Sequence, residues 1–136
     1  MKTIFSISVV AVLLFLAPAP CFALWGIAPV SKEQAKELGM EVRTKATVPN
    51  HVIVELEFKA EDKLKDFSRV DLRIGGGDNP PLTAALREDR SKPGSVIVHF
   101  TAARDQLDKI NLWVMVPRSR GGTIYTLHAA DFVEIK

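Results

Sequence analysis

The sequence predicts an all-β fold, an antiparallel β-sandwich of seven or eight strands with an immunoglobulin-like architecture. Apolar and polar residues alternate with a period of two in several segments, which is typical of strands that bury one face. Turn-forming residues separate these segments at intervals of about 10–15 residues, and no long amphipathic helix lies between them. This spacing disfavours a parallel βαβ topology. A small closed barrel is the second architecture that fits the same pattern.

The first 23 residues predict a secretory signal peptide. They contain 17 apolar residues and a single charge, Lys2. An uncharged run from Ile4 to Leu16 and small residues at the end of the segment complete the pattern, with cleavage expected before Leu24. We therefore expect an extracytoplasmic protein, periplasmic or secreted.

Two other interpretations of this leader are weaker. A lipoprotein would be lipidated at Cys21, but that reading requires a small residue before the cysteine, and Pro20 stands there. A retained membrane anchor would need about 20 consecutive apolar residues, and Pro18 and Pro20 interrupt the run. We expect no stable membrane insertion once the leader is removed.

The exported chain is expected to begin with an apolar arm and a short helix, residues 24–39. Ser31 and Gln34 have the spacing of a capping box, and Gly39 supplies a left-handed helix stop. These signals predict a helix over residues 32–38. The β-sandwich domain then occupies residues 40–136.

The strands of the domain follow from the alternation. They are expected over residues 40–46, 52–58, 70–74, 82–86, 96–100, 110–116 and 123–135, the last with a bulge near Ala129 and Ala130. A dense cluster of glycine and proline at residues 75–81 and a loop at residues 117–122 separate neighbouring strands. Residues 102–108 form a short crossing with helical character.

The composition excludes several classes of function. The residues after the leader carry 17 basic and 16 acidic side chains, so no global charge attracts nucleic acid or an anionic membrane. We therefore expect no nucleic-acid partner. The only cysteine, Cys21, lies in the leader, so the exported chain has no disulfide and no thiol nucleophile.

No local motif for catalysis or metal binding is present. His51, His99 and His128 are too far apart for a local zinc spacing, and no serine lies in a nucleophile motif. Gly75–Gly77 lacks the lysine and helix of a phosphate loop, and Asp78 lacks the spacing of a calcium loop. We expect no enzyme, no metal and no cofactor; a hydrolase whose active site is dispersed over distant strands is the less favoured alternative.

The candidate binding residues lie on one strand and the turn after it. Alternation places Trp113 and Met115 opposite the core series of that strand, and both residue types are enriched in protein interfaces. A tryptophan also stacks on sugar rings. Arg118 and Arg120 can grip an anion bidentately. The competing interpretation is that the apolar arm, with Trp25 and Ile27, or the short helix through Leu38 covers this face.

These observations favour an exported, non-catalytic module that binds a protein, a wall polymer or a carbohydrate. The alternative is a structural subunit of an envelope assembly that pairs through an exposed edge strand. A contiguous exposed apolar patch would favour the binding module. A long edge strand without charges or prolines would favour the assembly subunit.

Overall fold

A computed structural model describes residues 24–75 and 80–134 of the protein. The described chain is mostly β and forms two sheets of five and three strands, which confirms the predicted all-β sandwich at this level. The predicted signal peptide, the lipidation alternative at Cys21 and the acidic residue after the glycine cluster lie outside the described residues. Within the described ranges, no helix has the length and apolarity needed to cross a membrane.

The elements have the following bounds. The strands are β1 (Leu24–Pro29), β2 (Met40–Ala46), β3 (His51–Lys59), β4 (Arg69–Ile74), β5 (Leu82–Ala85), β6 (Ser95–Ala103), β7 (Ile110–Arg118) and β8 (Gly121–His128). The α-helices are α1 (Lys32–Glu37) and α2 (Ala129–Phe132), and two 3₁₀ helices cover Asp62–Leu64 and Arg104–Lys109.

The strand order is β1-β8-β7-β4-β5 in the five-stranded sheet and β2-β3-β6 in the three-stranded sheet. All neighbours are antiparallel except β1, which runs parallel to β8. One buried apolar cluster receives side chains from both sheets, so the core lies between them. Its most deeply buried members include Leu56, Phe58, Val98, Leu112 and Val114.

The helix α1 forms as its capping signals predict. The Ser31 hydroxyl accepts a hydrogen bond from the Gln34 backbone N–H at 3.2 Å, and the Ser31 N–H donates to Gln34 Oε1 at 2.9 Å. Gly39 ends the helix with a φ of 71°. A helix of six residues is too short to stand alone, and the buried Ala35 docks it on the core.

Both ends of the chain differ from the expectation. The apolar arm is not a separate segment but an edge strand, β1, because its backbone adds to β8. The predicted bulged strand over residues 123–135 is wrong: β8 ends at His128, and a turn of helix follows. Ala129 and Val133 are buried, whereas Asp131 between them is exposed; a strand would place all three on one face, and a helical turn does not.

The hairpin between β7 and β8 is tighter than the expected loop. The strand β7 continues to Arg118, and only Ser119 and Arg120 form the turn before β8 begins at Gly121. The residues after the core part of β7 are therefore paired with β8 rather than free.

Candidate binding face

The side of the five-stranded sheet that points away from the core is called the outer face here. On β7 the residues Asn111, Trp113 and Met115 point to this side and are half-buried, whereas their neighbours in the strand are buried in the core. In the register of the sheet, Trp113 lies between Thr126 of β8 and Asp71 of β4. The outer face is therefore formed by side chains of several strands.

An apolar row crosses three strands of this face. Ile27 of β1 pairs with Ile124 of β8, which pairs with Met115 of β7. Ile124 is only 5% exposed, yet it does not belong to the core cluster. It is buried on the opposite side of the sheet from the core. We call Trp25, Ile27, Trp113, Met115 and Ile124 the apolar platform.

The strand β1 extends the platform to the edge of the sheet. Trp25 and Ile27 are 38% and 61% exposed, so large apolar surface faces solvent there. The arm does not fold over Trp113 as the competing interpretation had it. It lies two strands away, beside β8.

Charged side chains of β4 border the platform on its other side. The guanidinium carbon of Arg73 lies 3.9 Å from the centroid of the Trp113 ring. Asp71, directly opposite Trp113 in the register, is buried and accepts a hydrogen bond from Arg69 Nε at 3.1 Å. Arg69 itself is the register partner of Met115. Two arginines therefore stand next to the apolar side chains.

The structure separates the predicted arginines from the tryptophan. Arg118 has the same parity along β7 as Val114 and Val116, so the register places it on the core side of the sheet, beyond the end of the core. Arg120 lies in the two-residue turn, and both arginines are exposed. Trp113 and Met115 share the outer face, but Arg118 does not share it with them.

Sequence reasoning missed Ile27, Ile124, Arg69 and Arg73 as members of the face. The outward direction of Arg69 and Arg73 was readable, because they alternate with the apolar residues of β4. Their adjacency to Trp113 was not, since it depends on the strand order β8-β7-β4.

A cleft of about 660 Å³ lies on the side of the three-stranded sheet. At its centre Glu57 is held by Arg43 Nη1 at 2.7 Å and by the Lys92 ammonium. Arg43 also donates hydrogen bonds to Glu41 and Glu55, at 2.7 and 3.0 Å for the closest contacts. Four of the charged residues that line the cleft, Glu41, Arg43, Glu57 and Lys92, are therefore held in ion pairs.

The hydrogen bonds from Lys92 and Arg43 lower the pKa of Glu57 from 4.5 to about 2. A general acid needs the opposite shift, because it must be protonated near neutral pH. A general base with so low a pKa is also weak. We therefore assign Glu57 an ion-pairing role.

The three histidines do not converge. His51 and His99 belong to strands of the three-stranded sheet, whereas His128 ends β8 in the other sheet, with Nδ1 3.2 Å from Asn111 Oδ1. Over residues 24–75 and 80–134, no group of three or more histidine, cysteine or acidic side chains is placed to hold a metal ion.

Comparison with protein-family models, curated proteins and solved structures gives no match for this chain.

Proposed function

We propose that the chain is an exported, non-catalytic β-sandwich module that binds a protein partner through the outer face of its five-stranded sheet. The observation that carries this proposal is the contiguity of the apolar platform. Trp25, Ile27, Ile124 and Met115 occupy neighbouring register positions on one outward surface, next to Trp113. Trp25 and Ile27 of this surface are exposed, and Trp113 and Met115 are half-buried. A contiguous apolar surface that solvent reaches is typical of interaction sites in soluble proteins.

An immunoglobulin-like architecture is part of the proposal, and the strand order supports it. Such domains place their second and fifth strands in one sheet, and their third, sixth and seventh strands in the other. With β2 as the first strand, β3 and β6 share the three-stranded sheet, while β4, β7 and β8 lie together in the five-stranded sheet. The strand β1 is then an addition beside the last strand.

The chemistry of the face favours a protein over a wall polymer or a carbohydrate. Arg73 already lies against the ring of Trp113, so a sugar that stacked on that side would first have to displace a guanidinium. Tryptophan, methionine and arginine are the residue types enriched in protein interfaces. Apolar side chains at the centre with Arg69 and Arg73 beside them also match the usual apolar core and polar rim.

The proposal is tested by using the immobilised protein to capture its partner from the envelope fraction of the producing cell. Met115→Asp places a charge in the platform opposite Arg69 and should abolish capture of a specific protein. Val48→Asp is the matched control, because Val48 is 57% exposed and lies in the turn before β3, away from the outer face.

Purified wall polymer and soluble sugars are tested alongside as the competing ligands. The proposal predicts binding to a protein that Met115→Asp removes and Val48→Asp preserves. Equal capture by both variants, or retention on the polymer alone, would contradict it. Thermal melts of both variants establish that each is folded.

A further inference from the structure

The four sheet edges of the described chain are protected to very different degrees. The strand β2 carries Glu41, Arg43 and Lys45, and charged side chains discourage edge pairing. The strand β5 has only four residues, and β6 is bridged on its open side by backbone hydrogen bonds between Asp89 and Ile97. The remaining edge, β1, is a mostly exposed strand of six residues without charged side chains, and its sole proline is its last residue.

The backbone groups on the open side of β1 can be assigned from its ladder with β8. The Val30 N–H donates to the Thr126 carbonyl at 2.9 Å, so even-numbered residues of β1 direct their N–H and C=O groups toward β8. Trp25, Ile27 and Pro29 therefore direct theirs away from the sheet. Among the described residues no strand lies on that side. The open edge offers two N–H donors, from Trp25 and Ile27, since proline has none.

The hydrogen-bonding groups on the open side of β1 are complementary to those of a second, antiparallel copy of the same strand. We propose that two copies of the chain pair antiparallel through β1, about a twofold axis at Gly26, and form one continuous ten-stranded sheet. Trp25 then faces Ile27 of the second copy, and each such pair exchanges two hydrogen bonds. Both pairs together use every N–H donor of the open edge. An isologous contact of this kind closes on itself and does not propagate into fibres.

The residue on the axis suits this pairing. Gly26 would face Gly26 of the second copy as a non-hydrogen-bonded pair, in which the Cα atoms approach to about 4.5 Å. A twofold axis perpendicular to the sheet keeps both outer faces on one side, so Trp25 of one copy would adjoin Ile27 of the other. The two apolar platforms become one surface. This inference concerns self-association and stands without any assumption about the ligand of the platform.

Sedimentation equilibrium of the exported chain over about 1 to 500 µM tests the pairing, because a single short strand pair makes a weak dimer. The exported chain should show a reversible monomer–dimer equilibrium. A monomer throughout this range would overturn the proposal.

Introducing a charge at the twofold axis tests the proposed register of the two β1 strands. A Cβ at Gly26 would meet no atom closer than Gly122 O, at 3.9 Å, so a side chain fits in the monomer. Gly26→Glu and Gly26→Lys should each weaken self-association at least tenfold, because like charges would meet across the axis. An equimolar mixture should restore the dimer. Failure of the mixture to associate would contradict this register.

A second pair of variants separates backbone pairing from side-chain contact. Ile27→Pro removes an N–H that points away from β8 and should abolish the dimer, whereas Ile27→Ala keeps that N–H and should weaken it by no more than several-fold. An equal loss of dimer in both variants would show that the Ile27 side chain, and not its backbone N–H, makes the contact, and would overturn edge pairing. Unchanged melting temperatures show that β1 remains docked.

Discussion

The indole ring of Trp25 lies over Gly122 and fills the space that a side chain at that position would need. A Cβ at Gly122 would be 2.5 Å from Cζ3 of the Trp25 ring and 2.6 Å from the Val116 carbonyl oxygen. At the preceding residue, Gly121, a Cβ would overlap the backbone carbonyl of Leu24. The two glycines after the hairpin turn are thus the surface on which β1 docks.

Replacing Gly121 by alanine should therefore displace the start of β1. Gly121 has a φ of 116°, a conformation that L-residues rarely adopt, and its Cβ would also collide with the neighbouring strand. The free energy of unfolding should fall by more than it does for Gly94→Ala. Gly94 has a φ of 76° but open space around it, so its replacement should cost only the conformational term of about 1–2 kcal/mol.

Chemical denaturation measures the stability of both glycine variants. In a Trp113→Phe background, where Trp25 is the sole tryptophan, its fluorescence reports whether β1 has left the sheet. A red shift of the tryptophan emission is expected for Gly121→Ala and not for Gly94→Ala. Equal destabilisation of the two variants would show that β1 does not rest on Gly121.

The contact between Arg73 and Trp113 should control the exposure of the tryptophan. In a Trp25→Phe background, where Trp113 is the sole tryptophan, Arg73→Ala should increase acrylamide quenching, because the guanidinium no longer covers the ring. The loss of folding stability should stay near 1 kcal/mol or below, as for exposed cation–π pairs. Arg104→Ala, an exposed position in a 3₁₀ helix, is the control. Quenching that stays the same after Arg73→Ala would contradict the contact.

The ion pairs of Glu57 should make stability depend on pH in acid. The pKa of Glu57 is about 2 in the folded chain and 4.5 ordinarily, so its stabilisation is complete above about pH 4.5 and is lost as the pH falls toward 2. Glu57→Gln should therefore be less stable than the parent at neutral pH, and the difference should vanish near pH 2.

Glu61→Gln is the control for this titration, because Glu61 lines the same cleft and takes part in none of the ion pairs found among the described residues. The stabilities of the parent and of both variants are compared by their urea unfolding midpoints between pH 2 and 7. A stability difference for Glu57→Gln that is independent of pH would show that the ion pairs do not hold the carboxylate ionised.

The exported protein should begin at Leu24. The leader prediction places the cut there, directly after the small residue Ala23. Intact mass and N-terminal sequencing of the exported product measure this directly. A product that retains Met1, or one that carries a lipid on Cys21, would contradict the prediction.

The sequence was informative wherever local signals determine the structure. Period-two alternation located β3, β4, β6 and β7, and the Ser31–Gln34 capping box located α1. Alternation also predicted the outward direction of Trp113 and Met115. These features need only neighbouring residues, so a single sequence suffices to read them.

Contacts between distant segments were not readable in this way. The apolar segment before α1 lacks alternation, and it becomes a strand only because Gly121 and Gly122 leave room for it on β8. The placement of Arg73 against Trp113 depends on β4 lying beside β7, which no local pattern specifies. The predicted grouping of Arg118 with Trp113 was wrong in one respect. Because β7 continues through Arg118, alternation places residues 113 and 118 on opposite faces of the sheet.

The central claim is that the outer face of the five-stranded sheet is the surface that meets a partner. Site-specific photo-cross-linking in the producing cell tests it most directly, with the reactive group at Met115 on the outer face or at the exposed His99 on the other sheet. The account predicts a discrete protein adduct from position 115 and none from position 99. Adducts from position 99 alone, or equal adducts from both positions, would contradict it.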